Sequence, residues 1–216
     1  MTQYLKLFKN ESEYDDSESK GVVNHLVDDA EIEVIPPTPI DPHEYVDLGL
    51  PSGTLWAKMN VGANSETDYG DYYQYGKGAN TYQITSGESN YSGVENPLAA
   101  SADTATQAWG GRWHMPTSAQ CQELMDNTTQ EWTTINGVNG SKFTAQNGNY
   151  LFFPASGRFL KGTLNYLGEY CYYWASSTLD SGTIYTYYMY YFYNDMKGVT
   201  TSTLRYYGYS VRPVMG

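Results

Sequence analysis

Met115-Pro116-Thr117-Ser118-Ala119-Gln120 carries the clearest start signal in the chain. The Thr117 hydroxyl can accept from the amide of Gln120, and the Gln120 side chain can reach back to the Thr117 amide, a capping box. With Cys121, the residues Ala119, Leu124 and Met125 then line the buried side of a short helix ending near Asp126. Beyond it the signals change period. Asn136-Gly137, Asn139-Gly140 and Asn147-Gly148 read as three hairpin-type turns. They flank Lys142-Phe143-Thr144-Ala145 and Tyr150-Leu151-Phe152-Phe153, which read as paired strands. Upstream, Gly49-Leu50-Pro51-Ser52-Gly53 reads as a tight turn before the apolar strand start Thr54-Leu55-Trp56-Ala57. Residues 76–105 are rich in Gly, Asn, Ser and Thr without a sustained period and read mainly as loop. Together these signals describe an α+β domain of short antiparallel strands, one or two short helices and much irregular loop.

Composition agrees. Among 216 residues there are 21 Gly and 9 Pro, so turns should outnumber helices. The 23 tyrosines supply much of the apolar share while each keeps a hydroxyl. The net charge of −12 repels phosphate backbones and anionic lipid heads, so neither nucleic acid nor a membrane surface is an expected partner. No run approaches the ~20 apolar residues that span a bilayer, so no membrane insertion is expected. The opening Met1-Thr2-Gln3-Tyr4-Leu5-Lys6-Leu7-Phe8-Lys9 shows no secretory apolar core. Cys121 and Cys171 read as free thiols; two cysteines make neither a disulfide scaffold nor a cysteine zinc site.

Residues 1–44 differ from the rest. Glu11, Glu13, Asp15, Asp16 and Glu18 form a solvated acidic face, followed by the alternating run Glu31-Ile32-Glu33-Val34-Ile35. Residues 1–35 therefore read as a short β-type attachment segment with too little core to stand alone, one that docks on a larger assembly. Residues 36–44 form a stiff Pro-rich linker. The main domain spans 45–216.

Catalysis finds no support in the residues. His25, His43 and His114 are scattered, without a Cys or acidic partner at metal-ligand spacing, and His114 reads as a hydrogen-bonded structural residue. No phosphate loop, nucleophile elbow or zinc-protease helix occurs, so no enzyme activity, cofactor or metal is expected. Binding finds more. Tyr170 to Tyr209 holds 12 of the 23 tyrosines, interleaved with Thr, Ser, Gly, Asn and Asp, the mixture that recognition loops use. In Tyr185-Thr186-Tyr187-Tyr188-Met189-Tyr190-Tyr191-Phe192-Tyr193 both strand parities are aromatic. One face is then buried and the other displayed, and the parity that faces out stays open.

Several phrases resemble one family in the right order. Val46-Asp47-Leu48-Gly49-Leu50-Pro51-Ser52-Gly53-Thr54-Leu55-Trp56-Ala57, Tyr69-Gly70-Asp71-Tyr72-Tyr73, Trp109-Gly110-Gly111-Arg112-Trp113-His114-Met115-Pro116-Thr117 and Tyr173-Trp174-Ala175-Ser176-Ser177 are four of them. The ending Gly208-Tyr209-Ser210-Val211-Arg212-Pro213-Val214 is another. These resemble the major paralogous domain of Fibrobacter and Bacteroides proteins, similar in turn to the formylglycine-generating-enzyme branch of the C-type lectin fold. The resemblance implies a C-type-lectin-like fold over about 46–214. It does not carry over the oxidase activity, because that enzyme's cysteine pair near the C-terminus has no counterpart here. Nor does it carry calcium-dependent sugar binding, since Glu95-Asn96-Pro97 holds the lectin motif's letters in the wrong order.

The same branch includes the variable proteins of diversity-generating retroelements, in which rewriting of adenines turns Asn codons into Tyr, Thr, Ser, Asp and Ile. The resemblance implies a variable region at about 166–207. Trp174, Ser176, Ser177, Gly208, Ser210, Val211, Arg212 and Pro213 would be its fixed scaffold. Thr183, Ile184, Thr186, Tyr187, Tyr188, Tyr190, Tyr193, Lys197, Thr200, Thr201 and Thr203 would be the displayed ligand-binding set. The expected partner is a protein or glycan on a cell surface. The expected location is a virion, an extracellular site or a cell surface, because Tyr4-Leu5-Lys6-Leu7-Phe8 with Ser12-Glu13-Tyr14 resembles the opening of Bacteroides phage structural proteins. A fixed glycan-binding adhesin and a structural virion decoration subunit are the alternatives.

Overall fold

The computed structural model describes residues 42–77, 95–160, 162–178, 185–192 and 200–216, with backbone alone for much of the last two strands before residue 203. The chain divides into Met1–Ile40 and Asp41–Gly216, and every described residue belongs to the second unit. The attachment segment 1–35 and most of the linker 36–44 lie outside the described residues.

In chain order the elements are β1 (Tyr45–Val46), β2 (Leu55–Ala57), β3 (Tyr73–Gln74), α1 (Thr104–Trp109), α2 (Ser118–Asp126), β4 (Thr128–Ile135), β5 (Val138–Ala145), β6 (Tyr150–Pro154), β7 (Arg158–Leu160), β8 (Thr163–Asn165), β9 (Tyr170–Thr178), β10 (Tyr185–Phe192), β11 (Thr200–Leu204), β12 (Gly208–Tyr209) and β13 (Val214–Met215). They form four small sheets, ordered β1-β2-β13, β11-β10-β9, β3-β12-β7-β8 and β4-β5-β6, and these strand pairs are antiparallel. The molecule is thus a sheet-rich α+β fold with two short helices among its described residues. Neither helix is long and apolar enough to cross a membrane.

Local chemistry explains most elements. The capping box forms: the Thr117 hydroxyl accepts from the Gln120 amide and the Gln120 side chain accepts from the Thr117 amide. Cys121 and Leu124 are buried and Met125 packs on the core, but Ala119 is exposed. At about 100° per residue Ala119 sits some 200° around the helix from Cys121, on the opposite side. Helix α1 begins at Thr104, in the last two residues of the stretch 76–105 read mainly as loop, and continues to Trp109. Its N-cap Asp103 accepts from the Thr106 amide through one oxygen and from the Met115 amide through the other, so one carboxylate ties the start of α1 to the run that leads into α2.

Two of the three Asn-Gly signals make turns. Asn136 and Gly137 both adopt positive φ between β4 and β5, and Asn147-Gly148 lies in the loop between β5 and β6. Asn139-Gly140 instead lies within β5. A Cβ on Gly140 would meet the Phe153 carbonyl oxygen at 2.4 Å, so the glycine serves close packing against β6.

The core is organised by β9. Cys171, Tyr173 and Ala175 join one cluster with Trp56, Leu124, Phe143, Phe153 and Val214. Tyr172 and Trp174, one residue out of phase, join a second with Tyr73, Tyr75, Tyr209 and Val211. Both cysteines are buried and unbridged, and burial pushes both thiols up. Arg212 is fully buried, its guanidinium 4.7 Å from the ring of Phe153 in the first cluster. Its Nε donates to Asn60 Oδ1, Nη1 to the Ala57 and Lys58 carbonyls, and Nη2 to the Phe152 carbonyl. Burial lowers its pKa to about 10, which leaves it charged at neutral pH.

Trp174 has no exposed surface and its Nε1 donates to the Tyr73 carbonyl at 2.7 Å. Trp174→Ala is expected to destabilise the domain by about 3–5 kcal/mol, read by urea unfolding. The fold should also fail in alkali. Burial pushes Tyr75 up to about 12 and raises Tyr72, Tyr173 and Tyr209 as well. The unfolded chain releases these protons first, at about pH 10, so the stabilisation is complete below that pH and is lost as pH climbs towards 12. The melting temperature should fall steadily above about pH 10; a flat profile to about pH 11.5 would contradict this.

Candidate ligand-binding surface

The aromatic face of the molecule is built on the β7–β8 hairpin and on β9. Gly157, just before β7, has φ 62°, and a Cβ there would meet the Asn165 carbonyl oxygen at 2.3 Å. A side chain is excluded, and the strands close tightly enough to set Arg158 beside the turn at Tyr166. Tyr166 itself holds φ 60°, and its carbonyl accepts from the amides of Glu169 and Tyr170. That turn leaves Tyr166 and Leu167 standing out, 44% and 45% exposed.

From Tyr166 the rings run inward as a continuous set. Tyr166 meets Tyr170 edge-on at 5.0 Å, Tyr170 stacks with Tyr172 at 5.7 Å, and Tyr172 stacks with Tyr209 at 5.1 Å. Tyr209 lies on Trp174 at 4.2 Å, and Tyr207 is nearly parallel to Tyr209 at 5.8 Å. Tyr188 of β10 adds a further ring, 6.1 Å from Tyr172. Such pairs are each worth ~0.5–1.5 kcal/mol beyond area burial, so the exposed rings are held in place by the buried ones. Burial pushes the Tyr209 hydroxyl up, keeping it neutral, and it shares a hydrogen bond of 2.7 Å with Thr203.

Arg158 is set among these rings. Its Cζ lies 4.6 Å from the Tyr207 ring centroid and 5.3 Å from those of Tyr166 and Tyr172. Its Nε is buried without a hydrogen-bond partner, and it forms no ion pair among the described residues.

Seven of the eleven candidate binding residues fall on two neighbouring strands: Thr186, Tyr187, Tyr188 and Tyr190 on β10, with Thr200, Thr201 and Thr203 on β11. The register sets Thr186 against Thr203, Tyr188 against Thr200 and Tyr190 against Tyr172. Thr183, Ile184, Tyr193 and Lys197 lie outside the described residues. Thr186 and Thr203 correct the expectation of display. Thr186 is fully buried, its hydroxyl donating to the Ser177 carbonyl at 2.7 Å, and Thr203 is buried against Tyr209. Tyr188 is half-buried against the second core cluster. Arg158, Tyr166 and Leu167 were not anticipated. The one available signal was the run of aromatics that begins at Tyr166, inside the stretch read as variable.

Other candidates resolve simply. His114 pairs through its backbone with Val214, and its Nδ1 lies 3.0 Å from the Met115 carbonyl oxygen, a structural placement. Among the described residues no three His, Cys, Asp or Glu side chains converge to hold a metal ion.

Thr186→Val should lower stability by about 1–3 kcal/mol, because it removes a buried donor and strands the Ser177 carbonyl. An unchanged melting temperature would return Thr186 to the displayed face. No protein-family model, curated protein or solved structure matches the chain.

Proposed function

We propose that this domain is a ligand-binding module of C-type-lectin-like fold that engages a target on a cell surface through its tyrosine-rich C-terminal face, and that the stretch 166–207 is a diversified surface. The observation that carries this is the graded aromatic set, running from the fully buried Trp174 and Tyr209 to the exposed Tyr166 and Leu167. Rings braced from below present large contact area at small entropic cost, which favours binding at the outer edge. A core-only role would not leave Tyr166 and Leu167 exposed at the end of the series.

Two further observations support the reading. The phrases that carry the family resemblance supply the deepest side chains, with Trp56, Trp174, Tyr209, Ser210, Val211 and Arg212 all fully buried. Between them, the candidate residues of β10 and β11 form one two-stranded unit at the side of β9, and β11 is the outer strand of that sheet. This order of buried family phrases and tyrosine- and threonine-rich strands along the chain supports the reading. In this reading the domain is not an enzyme. Residues 1–44 attach it to a virion or another larger assembly, and the face operates outside the cell or at its surface.

Deep sequencing of the DNA encoding residues 160–216 in a natural population tests the diversified surface. Substitutions confined to adenine positions, with Trp174 and 208–214 unchanged, are expected; a uniform sequence would overturn diversification. Tyr187→Ala with Tyr190→Ala should weaken attachment to target cells, each ring contributing about 1–2 kcal/mol if central, with little change in melting temperature. A large fall in melting temperature would make both rings core residues.

A further inference from the structure

Among the described residues Arg158 is a cation without an acid. The chain carries 24 acidic and 12 basic residues, yet among the described residues none of the acids pairs with this guanidinium. Tyrosine faces surround it instead, at 4.6 Å for Tyr207 and 5.3 Å for Tyr166 and Tyr172, with the Tyr209 hydroxyl beside it. Rings hold a guanidinium in place through its faces while consuming few of its hydrogen-bond donors, and its planar edge remains suited to a carboxylate taken in bidentate fashion.

The surroundings narrow the anion. Asp41–Gly216, the unit that holds Arg158, carries 15 acidic against 9 basic residues, and such an excess disfavours polyanions, because every additional negative charge on the ligand meets it. One carboxylate on an otherwise neutral body fits better. Beside the cation stand the exposed ring of Tyr166 and the exposed Leu167, a surface for a ligand with an apolar face. A pyranose carries C–H groups on its faces and hydroxyls around its rim, and tyrosine matches both with its ring and its phenol.

We propose that Arg158 and the tyrosines around it form a subsite for an acidic sugar, a uronic or sialic acid whose carboxylate pairs with the guanidinium and whose ring lies on Tyr166. The inference rests on the reading of this face as a binding surface. It adds that Arg158, which precedes the stretch 166–207, keeps its positive charge through diversification, while the rings around it, inside that stretch, vary.

The test is ligand-observed NMR on the full chain with glucuronate, galacturonate and N-acetylneuraminate, each beside its methyl ester, which keeps the ring and removes the charge. At least one acid should bind about tenfold or more tightly than its ester. Arg158→Gln should abolish that difference, Arg158→Lys should keep part of it, and Tyr166→Ala should weaken acid and ester alike. Each variant is compared at matched melting temperature. If Arg158→Gln does not fold, the acid-to-ester ratio on the unaltered chain and the effect of Tyr166→Ala decide the matter. Equal binding of acid and ester, silence from every acid, or full acid binding by a folded Arg158→Gln would overturn the subsite. Tighter binding of a short peptide through its free C-terminal carboxylate would overturn the assignment to a sugar. Silence from the acids while Tyr187→Ala with Tyr190→Ala still weakens attachment to target cells would remove this inference alone and leave the binding surface standing.

Discussion

Strand β9 places Cys171, Tyr173 and Ala175 in one cluster and Tyr172 and Trp174 in the other, so a single strand serves as the shared wall of two cores. An ordinary sheet of this kind buries one face and wets the other. Here both faces are apolar, and each must be covered by segments distant in the chain: α2, β5 and β6 on one side, β3 and β12 on the other. This explains how short strands and two short helices make a stable domain. The first and last strands of the domain meet in the first cluster, with β13 pairing to β2 so that Val214 and Trp56 close it together.

The polar interior follows from the same crowding. Tyr173 sends its ring into the first cluster and its hydroxyl to the Pro154 carbonyl, while the Asn60 side chain donates to that hydroxyl and accepts from Arg212. Trp174 reaches the Tyr73 carbonyl in the second cluster. Buried donors with defined acceptors fix orientation as well as position. The outer tyrosines inherit that order. Tyr172 and Tyr209 are anchored next to Trp174, and Tyr166, Tyr170 and Tyr207 lean on them. Rings braced this way have little conformational freedom left to lose, whereas rings on unsupported loops would keep much.

What could be read from the sequence was what local chemistry decides. The Thr117–Gln120 box and the Asn136-Gly137 turn involve residues within four positions of each other, and both form as expected. Asn139-Gly140 carries the same two letters as a turn but lies in β5, because Phe152 and Phe153 need the space above Gly140. Helix α1 escaped notice because its six residues offer no periodic face, and its cap Asp103 is shared with Met115, twelve positions on. The site divides in the same way. Composition pointed to the segment after Tyr170, yet Thr186 and Thr203 turn inward through hydrogen bonds that composition cannot express. Arg158 meets Tyr207 because β7 pairs with β12, and meets Tyr172 from β9 of another sheet by packing, so nothing in its own neighbourhood of sequence announces it.

Arg212 has one more consequence. Its charge is met by three backbone carbonyls and the amide oxygen of Asn60, and no carboxylate is among those partners. A buried arginine paired to an aspartate is betrayed in acid, when its counter-ion takes up a proton and the cation is left alone in a poor solvent. None of the four oxygens around Arg212 can be neutralised in that way. Protonation of a direct partner therefore cannot strand this cation in acid.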